Sequence, residues 1–420
     1  MITNFPQMIR ITQKFDNRVL DNIPEQIDSK IHNGGFENAV QRGQTVAVAC
    51  SSRGIANYDI IVKAVISGLK NMGLSAFIVP AMGSHGAASG AGQKRVLEHL
   101  GIREEQVGAP IKSALEVIQI GNTDNQIPVY LDKRASKADH VVLINRIKKH
   151  TEFEHEFESG LLKMMAIGLG KQEGAAKYHE AMMTYGYPEV ILSVARQVMQ
   201  HVNILFGVGI VENGYGQTAD IGICPSDKIE EKEKDLLRLA KSMAPSLPFD
   251  EADILIIDEM GKEISGTGFD TKVVGRIGLP LVTQEPKRPK IKRLLVCDLT
   301  AGSEGNAVGV GIADMITQRL LDKIDMQALN INTITGVCPE MGKIPLTLKS
   351  DREALEIAIK SVGLIPRDQL KVMRIKNTAF LSEVDVSEAY EKELSERGDL
   401  ESSLDKRPMA FDQKGNFESF

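Results

Sequence analysis

The sequence predicts an α/β protein of two domains, each with a largely parallel sheet, and an active-site cleft between them. Three observations lead there. Short β-rich apolar runs alternate with segments of helical period, the rhythm of strand–crossover helix–strand units. The alternation restarts after a Pro-containing stretch, "SMAPSLP". The chain has 420 residues, more than one ordinary core holds.

In order, "TVAVAC" (Thr45–Cys50) reads as a strand running into "SSRG", where Ser51 or Ser52 is expected to cap the next helix. "YDIIVKAVISGLKNMG" has apolar residues three and four apart and a closing glycine, hence a helix. "SAFIVPAM" is a second strand, followed by "GSHGAASGAG" and the helix "QKRVLEHLG". "HVVLINRI" is a further buried strand and "PEVILSVARQVMQHV" a helix. "ILFGVGIVENGYGQTADIGICP" reads as a β-hairpin around Asn213-Gly214. "DKIEEKEKDLLRLAKSMAPSLP" is a charged amphipathic helix leading into the linker. Beyond it, "ADILIIDEMG" is a strand, and "RLLVCDLTAGSEGNAVGVGIADMITQRLL" a strand, glycine-rich loop and helix. "ALEIAIKSVGLI" is one more helix. The expected domains are 1–245 and 246–390. The charged tail 391–420 is expected to be disordered or an arm on a partner subunit.

Net charge is −6 and the pI about 5.9, which argues against nucleic acid as the main partner. With no Trp and 5% aromatics, stacking platforms for single strands are scarce. No stretch approaches the roughly 18 apolar residues of a membrane helix, and the N-terminus lacks the basic-then-apolar pattern of a signal peptide. Cys50, Cys224, Cys297 and Cys338 are far apart, with neither zinc-knuckle nor disulfide-framework spacing. A reducing cytoplasm is the expected compartment. Homo-oligomerisation is left open.

Parallel sheets bind ligands beyond the carboxyl ends of their strands, and three polar clusters fall at such ends: Ser51-Ser52-Arg53, Gly83-Ser84-His85-Gly86, and Asn145 to His150. Arg53, just ahead of a helix, is either an anion binder or a surface arginine. His85, among small residues, either faces a ligand or caps a turn. The glycine spacing is neither GxGxxG nor a Walker loop, so dinucleotide and NTP binding are unsupported. "KKHTEFEHEFESGLLK" (Lys148–Lys163) packs two histidines and four glutamates ahead of an apolar run. A solvated face accounts for the glutamates but not for Lys163, which sits among Leu161, Leu162, Met164 and Met165. Such a lysine either snorkels or is used chemically. His179 follows sixteen residues later and by itself reads as an ordinary helix histidine. Gly302–Gly311 is either a phosphate loop or a packing loop.

"VACSSRGI", "PAMGSHGA", "NRIKKHTEF" and "ESGLLKMMAIGLGK", with the later histidine, resemble the nickel-dependent lactate racemase family, and more closely its 2-hydroxyacid racemase and epimerase relatives. The resemblance is dense over residues 45–180 and weaker through "IDEMGKEISGTGFDT". It implies racemisation or epimerisation of a small 2-hydroxyacid by proton-coupled hydride transfer to a nickel-pincer nucleotide tethered to a lysine. By position, Lys163 is the implied tether, His179 the nickel ligand, and His85 and His150 the acid–base pair. Arg53 and Ser52 are the implied substrate contacts, and Gly83 and Ser84 line the cofactor. Lys171 is the nearest alternative tether. The family's Asp-Arg-Thr-Arg is replaced here by Cys50-Ser51-Ser52-Arg53, and its Tyr-Gln-x-x-Lys segment is missing. Lys262, Lys272 and Arg276 are the candidates to replace that lysine, and the departures bear on lactate itself more than on the reaction type. His155 and the glutamates have no assigned role. Two competing readings stand beside this one: a metal-dependent hydrolase or lyase using His85, His150 and His179 as direct ligands, and a non-catalytic binder of the nucleotide.

Overall fold

A computed structural model describes residues 5–52, 54–83, 85–86, 89–279 and 283–420, with the side chain of Leu404 excepted. The chain divides into two compact units, Asn17–Ala244 and a second made of Met1–Asp16 with Pro245–Phe420. The first strand, β1 (Met8–Gln13), therefore belongs with the C-terminal unit, not with the residues that follow it. The cause is its pairing: β1 is antiparallel to two strands near the chain's end and buries Ile9 and Ile11 in that unit's core.

In Asn17–Ala244 the strands are β2 (Thr45–Cys50), β3 (Ser75–Pro80), the hairpin β4 (Val117–Asn122) and β5 (Pro128–Asp132), β6 (His140–Arg146), β7 (Ile204–Glu212) and β8 (Thr218–Pro225). Five of them form a sheet of order β3-β2-β6-β7-β8, parallel except for the antiparallel edge strand β8. The near-continuous apolar runs of β2, β3 and β6 fit strands covered on both faces.

The helices are α1 (Ile23–Asn33), α2 (Tyr58–Asn71), α3 (Gly90–His99), the short α4 (Glu104–Val107), α5 (Leu161–Lys163), α6 (Lys171–Tyr185), α7 (Tyr187–His201) and α8 (Ile229–Met243). One face carries α1 to α4, packed on Val46, Val48, Ile144, Phe206 and Val208. The other carries α5 and α8. Strand β7 alternates accordingly: Phe206 and Val208 face the large core, while Gly207 and Gly209 let Leu161 and Leu236 come close. An added Cβ would sit 2.5 Å from Leu161 at Gly207 and 2.6 Å from Leu236 at Gly209. The hairpin expected at Asn213-Gly214 forms with a longer loop, in which the Asn213 side chain accepts from the backbone N–H groups of Tyr215 and Gln217.

The other unit holds β9 (Glu251–Ile257), β10 (Lys290–Val296), β11 (Met315–Thr317), β12 (Leu346–Leu348), β13 (Val372–Ile375), β14 (Glu383–Ser387) and β15 (Leu400–Arg407). With β1 they form an eight-stranded sheet, β12-β11-β10-β9-β13-β14-β1-β15, whose first five strands are parallel. The helix expected to close "RLLVCDLTAGSEGNAVGVGIADMITQRLL" is a single turn, Gln318–Leu321, preceded by the strand β11. Met315 and Ile316 pair with Leu295 and Val296, so tertiary pairing overrides the local pattern. Gly302–Gly311 resolves as a packing loop: an added Cβ would fall 2.0 Å from the Thr267 carbonyl at Gly309 and 2.1 Å from the Glu340 carbonyl at Gly311.

The tail, expected to be disordered or an arm on a partner subunit, is folded onto its own unit. β15 pairs with β1, Arg374 lies 4.4 Å over the Phe417 ring, and the Phe417 N–H donates to Asp351 at 2.7 Å. Met409, Phe411 and Phe417 pack on the core behind the helix Asp351–Ser361. Among the described residues, no helix is long and apolar enough to cross a membrane.

Candidate active site

Strand β2 lies between β3 and β6, and the chain passes from one side of it to the other. This reversal makes a topological switch point, where open parallel sheets leave a crevice at the carboxyl ends. The register puts those ends level, with Cys50 opposite both Pro80 and Ile144. The three loops expected to carry chemistry therefore leave neighbouring strands at one edge.

The loop after β2 is not a helix cap. Helix α2 is preceded by Asn57 in a left-handed conformation with no side-chain cap, so the expectation for Ser51 or Ser52 fails. Tyr58, buried at the start of α2, reaches back and accepts the Ser51 N–H at 2.7 Å. Glu212 accepts from the Ala56 N–H at 2.8 Å and pairs with Arg146 at the end of β6. The turn is thus pinned from α2 and β7, which leaves Ser52 to meet His85: its hydroxyl oxygen bonds His85 Nδ1. Arg53 lies outside the described residues, as does Ser84.

The loop after β3 leans on the stretch following Lys163. Gly83 has φ +57, a conformation glycine adopts without strain, and its N–H donates to the Gly168 carbonyl at 3.4 Å. Gly168 in turn lies so close to Ala81 that an added Cβ would sit 2.7 Å from its carbonyl oxygen. Between Lys163 and Gly168 the backbone makes one π-helical turn, Met164–Gly168, a local irregularity that recurs at functional sites. On α6, Ala175 faces Gly83, and His179 is one turn further on the same side, half-buried.

The loop after β6 carries His150, which is 4% exposed. Its ring stacks on Phe153 at 4.4 Å and tilts against Tyr187 at 6.0 Å. Nδ1 accepts from the Glu152 N–H at 3.1 Å, which turns Nε2 towards Lys163, whose Nζ it contacts.

The residues without a sequence-assigned role prove to be staples. Glu158 is buried and its carboxylate accepts from the backbone N–H groups of His150 at 2.5 Å and His155 at 3.3 Å. Lys241 on α8 pairs with it at 2.5 Å and donates to the His155 carbonyl at 2.9 Å. Glu156 pairs with Lys234 on the same helix. Glu233, also on α8 and fully buried, accepts from the N–H groups of Leu161 and Leu162 at 2.8 and 2.9 Å, fixing the turn that presents Lys163. Burial pushes its carboxyl up to about 7, against the two backbone bonds that favour the ionised form. Gly160 is required there, since a Cβ would lie 2.3 Å from Glu233 Oε1. The partners on α8 lie tens of residues away, and no local signal finds them.

The remaining candidates sort by contact. Lys171 is fully buried among polar partners and does not share Lys163's surroundings. Arg276 is engaged at the amino ends of β10 and β11, by Asp314 at 2.8 Å and the carbonyls of Ile291 and Lys292, and so is withdrawn from the ligand edge. Lys262 follows β9 at its carboxyl end, and its Nζ donates to the Gly266 carbonyl at 2.7 Å. The backbone N–H of Lys272 donates to the Asp270 cap at 2.8 Å. Among the described residues, no three His, Cys, Asp or Glu side chains come together to hold a metal, so the direct three-histidine site is not formed.

The family model for the lactate racemase N-terminal domain matches residues 7–188. Among solved structures, the lactate racemase apoprotein from Thermoanaerobacterium thermosaccharolyticum is 13% identical, with 89% of this chain and 99% of that one covered and a TM-score of 0.53. A protein from Thermotoga maritima is 14% identical, with 85% of this chain and 97% of that one covered, also at a TM-score of 0.53. At such identities the structural likeness speaks for the fold. No curated protein matches the chain.

Proposed function

We propose that the chain, whose residues 7–188 match the lactate racemase N-terminal domain, racemises or epimerises a 2-hydroxyacid at the shared carboxyl edge of β2, β3 and β6. The observation that carries the reading is the contact between Lys163 Nζ and His150 Nε2 after β6, with the Ser52–His85 pair on the loops after the neighbouring strands β2 and β3. The tether and one proton acceptor thus follow β6, the second histidine follows β3, and its serine partner follows β2, three strands whose ends are level.

The residues fit a nickel-pincer nucleotide. Lys163 offers a primary amine on a half-buried turn between buried Leu162 and Met164. His179 offers a single imidazole, and a metal already held by a pincer asks little more of the protein. When bound, the nucleotide supplies the acceptor for the C2 hydride. The chain's own part is proton transfer and placement. Inverting C2 requires the hydroxyl proton to leave with the C2 hydrogen and to return after it is delivered to the other face. An imidazole with a near-neutral pKa suits both directions, so His150 serves one enantiomer and His85 the other. Ser52 orients His85 through Nδ1, while Phe153 and Tyr187 fix the plane of His150. Arg53, next in sequence to Ser52, takes the substrate carboxylate.

The test is a panel of single-enantiomer 2-hydroxyacids given to protein matured in cells that make the cofactor, with loss of optical purity followed in time. Racemisation of at least one acid is expected. No turnover of any acid, by protein whose mass shows the adduct in place, would replace this reading with that of a non-catalytic carrier.

A further inference from the structure

Beneath the His85 loop lies a buried polar cluster that the chemistry above does not use. Gln93 on α3 is fully buried. Its Nε2 donates to the carbonyls of Gly83 at 3.0 Å and of His85 at 3.3 Å, which uses both amide hydrogens. Its Oε1 accepts from Lys171 Nζ at 3.2 Å. An ammonium only donates, so the amide can sit one way round, with its hydrogens towards the loop.

Lys171 is also fully buried and adopts φ +56, an uncommon conformation for a residue with a Cβ, held here by its surroundings. Its ammonium faces three oxygens from three elements: the Pro80 carbonyl at the end of β3, Gln93 on α3, and Asp132 Oδ2 on β5 at 3.1 Å. The other Asp132 oxygen accepts from the N–H groups of Arg134 and Ala135 at 2.7 and 2.9 Å. Lys171 also begins α6, the helix that bears His179. The loop also lies against the backbone of α3: an added Cβ at Gly86 would lie 2.6 Å from the Gln93 backbone nitrogen.

We propose that Gln93, oriented by Lys171 and Asp132, is a positioning residue that fixes the His85 loop relative to α6. An apolar side chain would fill the same volume, but it would take one donor from each of two carbonyls at the catalytic turn and one oxygen from the ammonium. The relay secures the place from which His85 meets Ser52. The importance of that placement for turnover rests on the racemase reading; the placement itself does not.

Gln93→Glu tests it. Glutamate has the same shape and keeps an oxygen for Lys171, but it presents no hydrogens to Gly83 and His85. In the apoprotein, the ring-nitrogen NMR signals of His85 should shift and the amide protons of the turn should exchange faster, with the thermal midpoint lowered and the fold retained. In the loaded enzyme kcat should fall on the order of 10²-fold, as for a small misplacement of a reacting group, with KM little changed and the Lys163 adduct retained. Gln93→Met, similar in size and uncharged, should displace the His85 signals in the same way. Wild-type His85 signals and exchange in either folded variant would overturn the proposal, and so would failure of both to fold, which would make the cluster a core requirement alone. Absence of turnover in wild type would count against the racemase reading and leave the apoprotein readouts standing.

Discussion

The amine of Lys163 lies against Nε2 of His150, thirteen positions earlier in the chain. The proposed tether and a proposed proton acceptor are therefore one contact, and a change at either is felt at both. Lys163→Ala should lose the covalent nucleotide and all activity, and Lys163→Arg should not rescue it, because a guanidinium cannot form the same thioamide. Intact-protein mass reads the result. A full adduct on the alanine variant would move the tether elsewhere, and Lys171 is already committed to three oxygens.

His179→Ala should part the metal from its organic carrier. With Lys163 intact the adduct stays, but the proposed nickel ligand is gone and nickel is held less firmly. Mass should report an unchanged adduct and metal analysis a depleted nickel content. Full nickel occupancy would remove His179 from the ligand set.

The two histidines should fail in different ways. His85→Ala and His150→Ala should each slow exchange by about 10²–10⁴-fold, the usual worth of an acid–base group, and each should impair one enantiomer first. Both should keep the adduct. Initial rates from each pure enantiomer decide it, and near-full activity of both variants would take them out of the mechanism.

The site was legible in the sequence where it is local. Alternating strands and helices put three loops at strand ends, and the sheet order brings those strands together. What stayed hidden is what holds the loops. Glu158 and Glu233 read as two acids among many, because their roles depend on Lys241 and on the N–H groups of Leu161 and Leu162, contacts made only after folding. Lys171 looked like a spare nucleophile because nothing local reveals its three oxygens. The folded tail was missed for a similar reason: its few aromatic anchors, Phe411 and Phe417, are diluted by charge. A first domain of 1–245 overlooks that β1 pairs with β14 and β15, because strand partners distant in sequence leave no local mark.

Lys241→Met should loosen the histidine loop without breaking the sheet. Glu158 would keep its two backbone bonds but lose its cation while remaining buried. An uncompensated polar group of this kind costs about 1–3 kcal/mol. Hydrogen exchange should rise at His150 and His155 and stay at wild-type rates in β2 and β6. Uniform protection across the loop would show that the pair contributes little.

Glu233 gives the sharpest dependence on pH. Its carboxyl is fully buried and sits at about 7 when folded, above the ordinary carboxylate range. Desolvation is the main cause and the neighbouring Glu230 adds to it, while the Leu161 and Leu162 N–H groups oppose it. Cys224, the other titratable group facing it, is pushed up to about 12 by burial and stays neutral. A group whose folded pKa is raised binds more protons when folded than when unfolded, so stability falls as pH rises between the two values. Here the window runs from the ordinary carboxylate range up to about 7, and the loss amounts to about 3 kcal/mol at 1.36 kcal/mol per unit. Glu233→Gln keeps an oxygen for both N–H groups and has no charge to lose or gain. Urea unfolding should therefore find the glutamine variant gaining on wild type from pH 5 to pH 8, with most of the change before pH 7.5. If the difference between the two proteins is the same at both pH values, Glu233 titrates normally, and the turn bearing Lys163 is not held by a strained carboxylate.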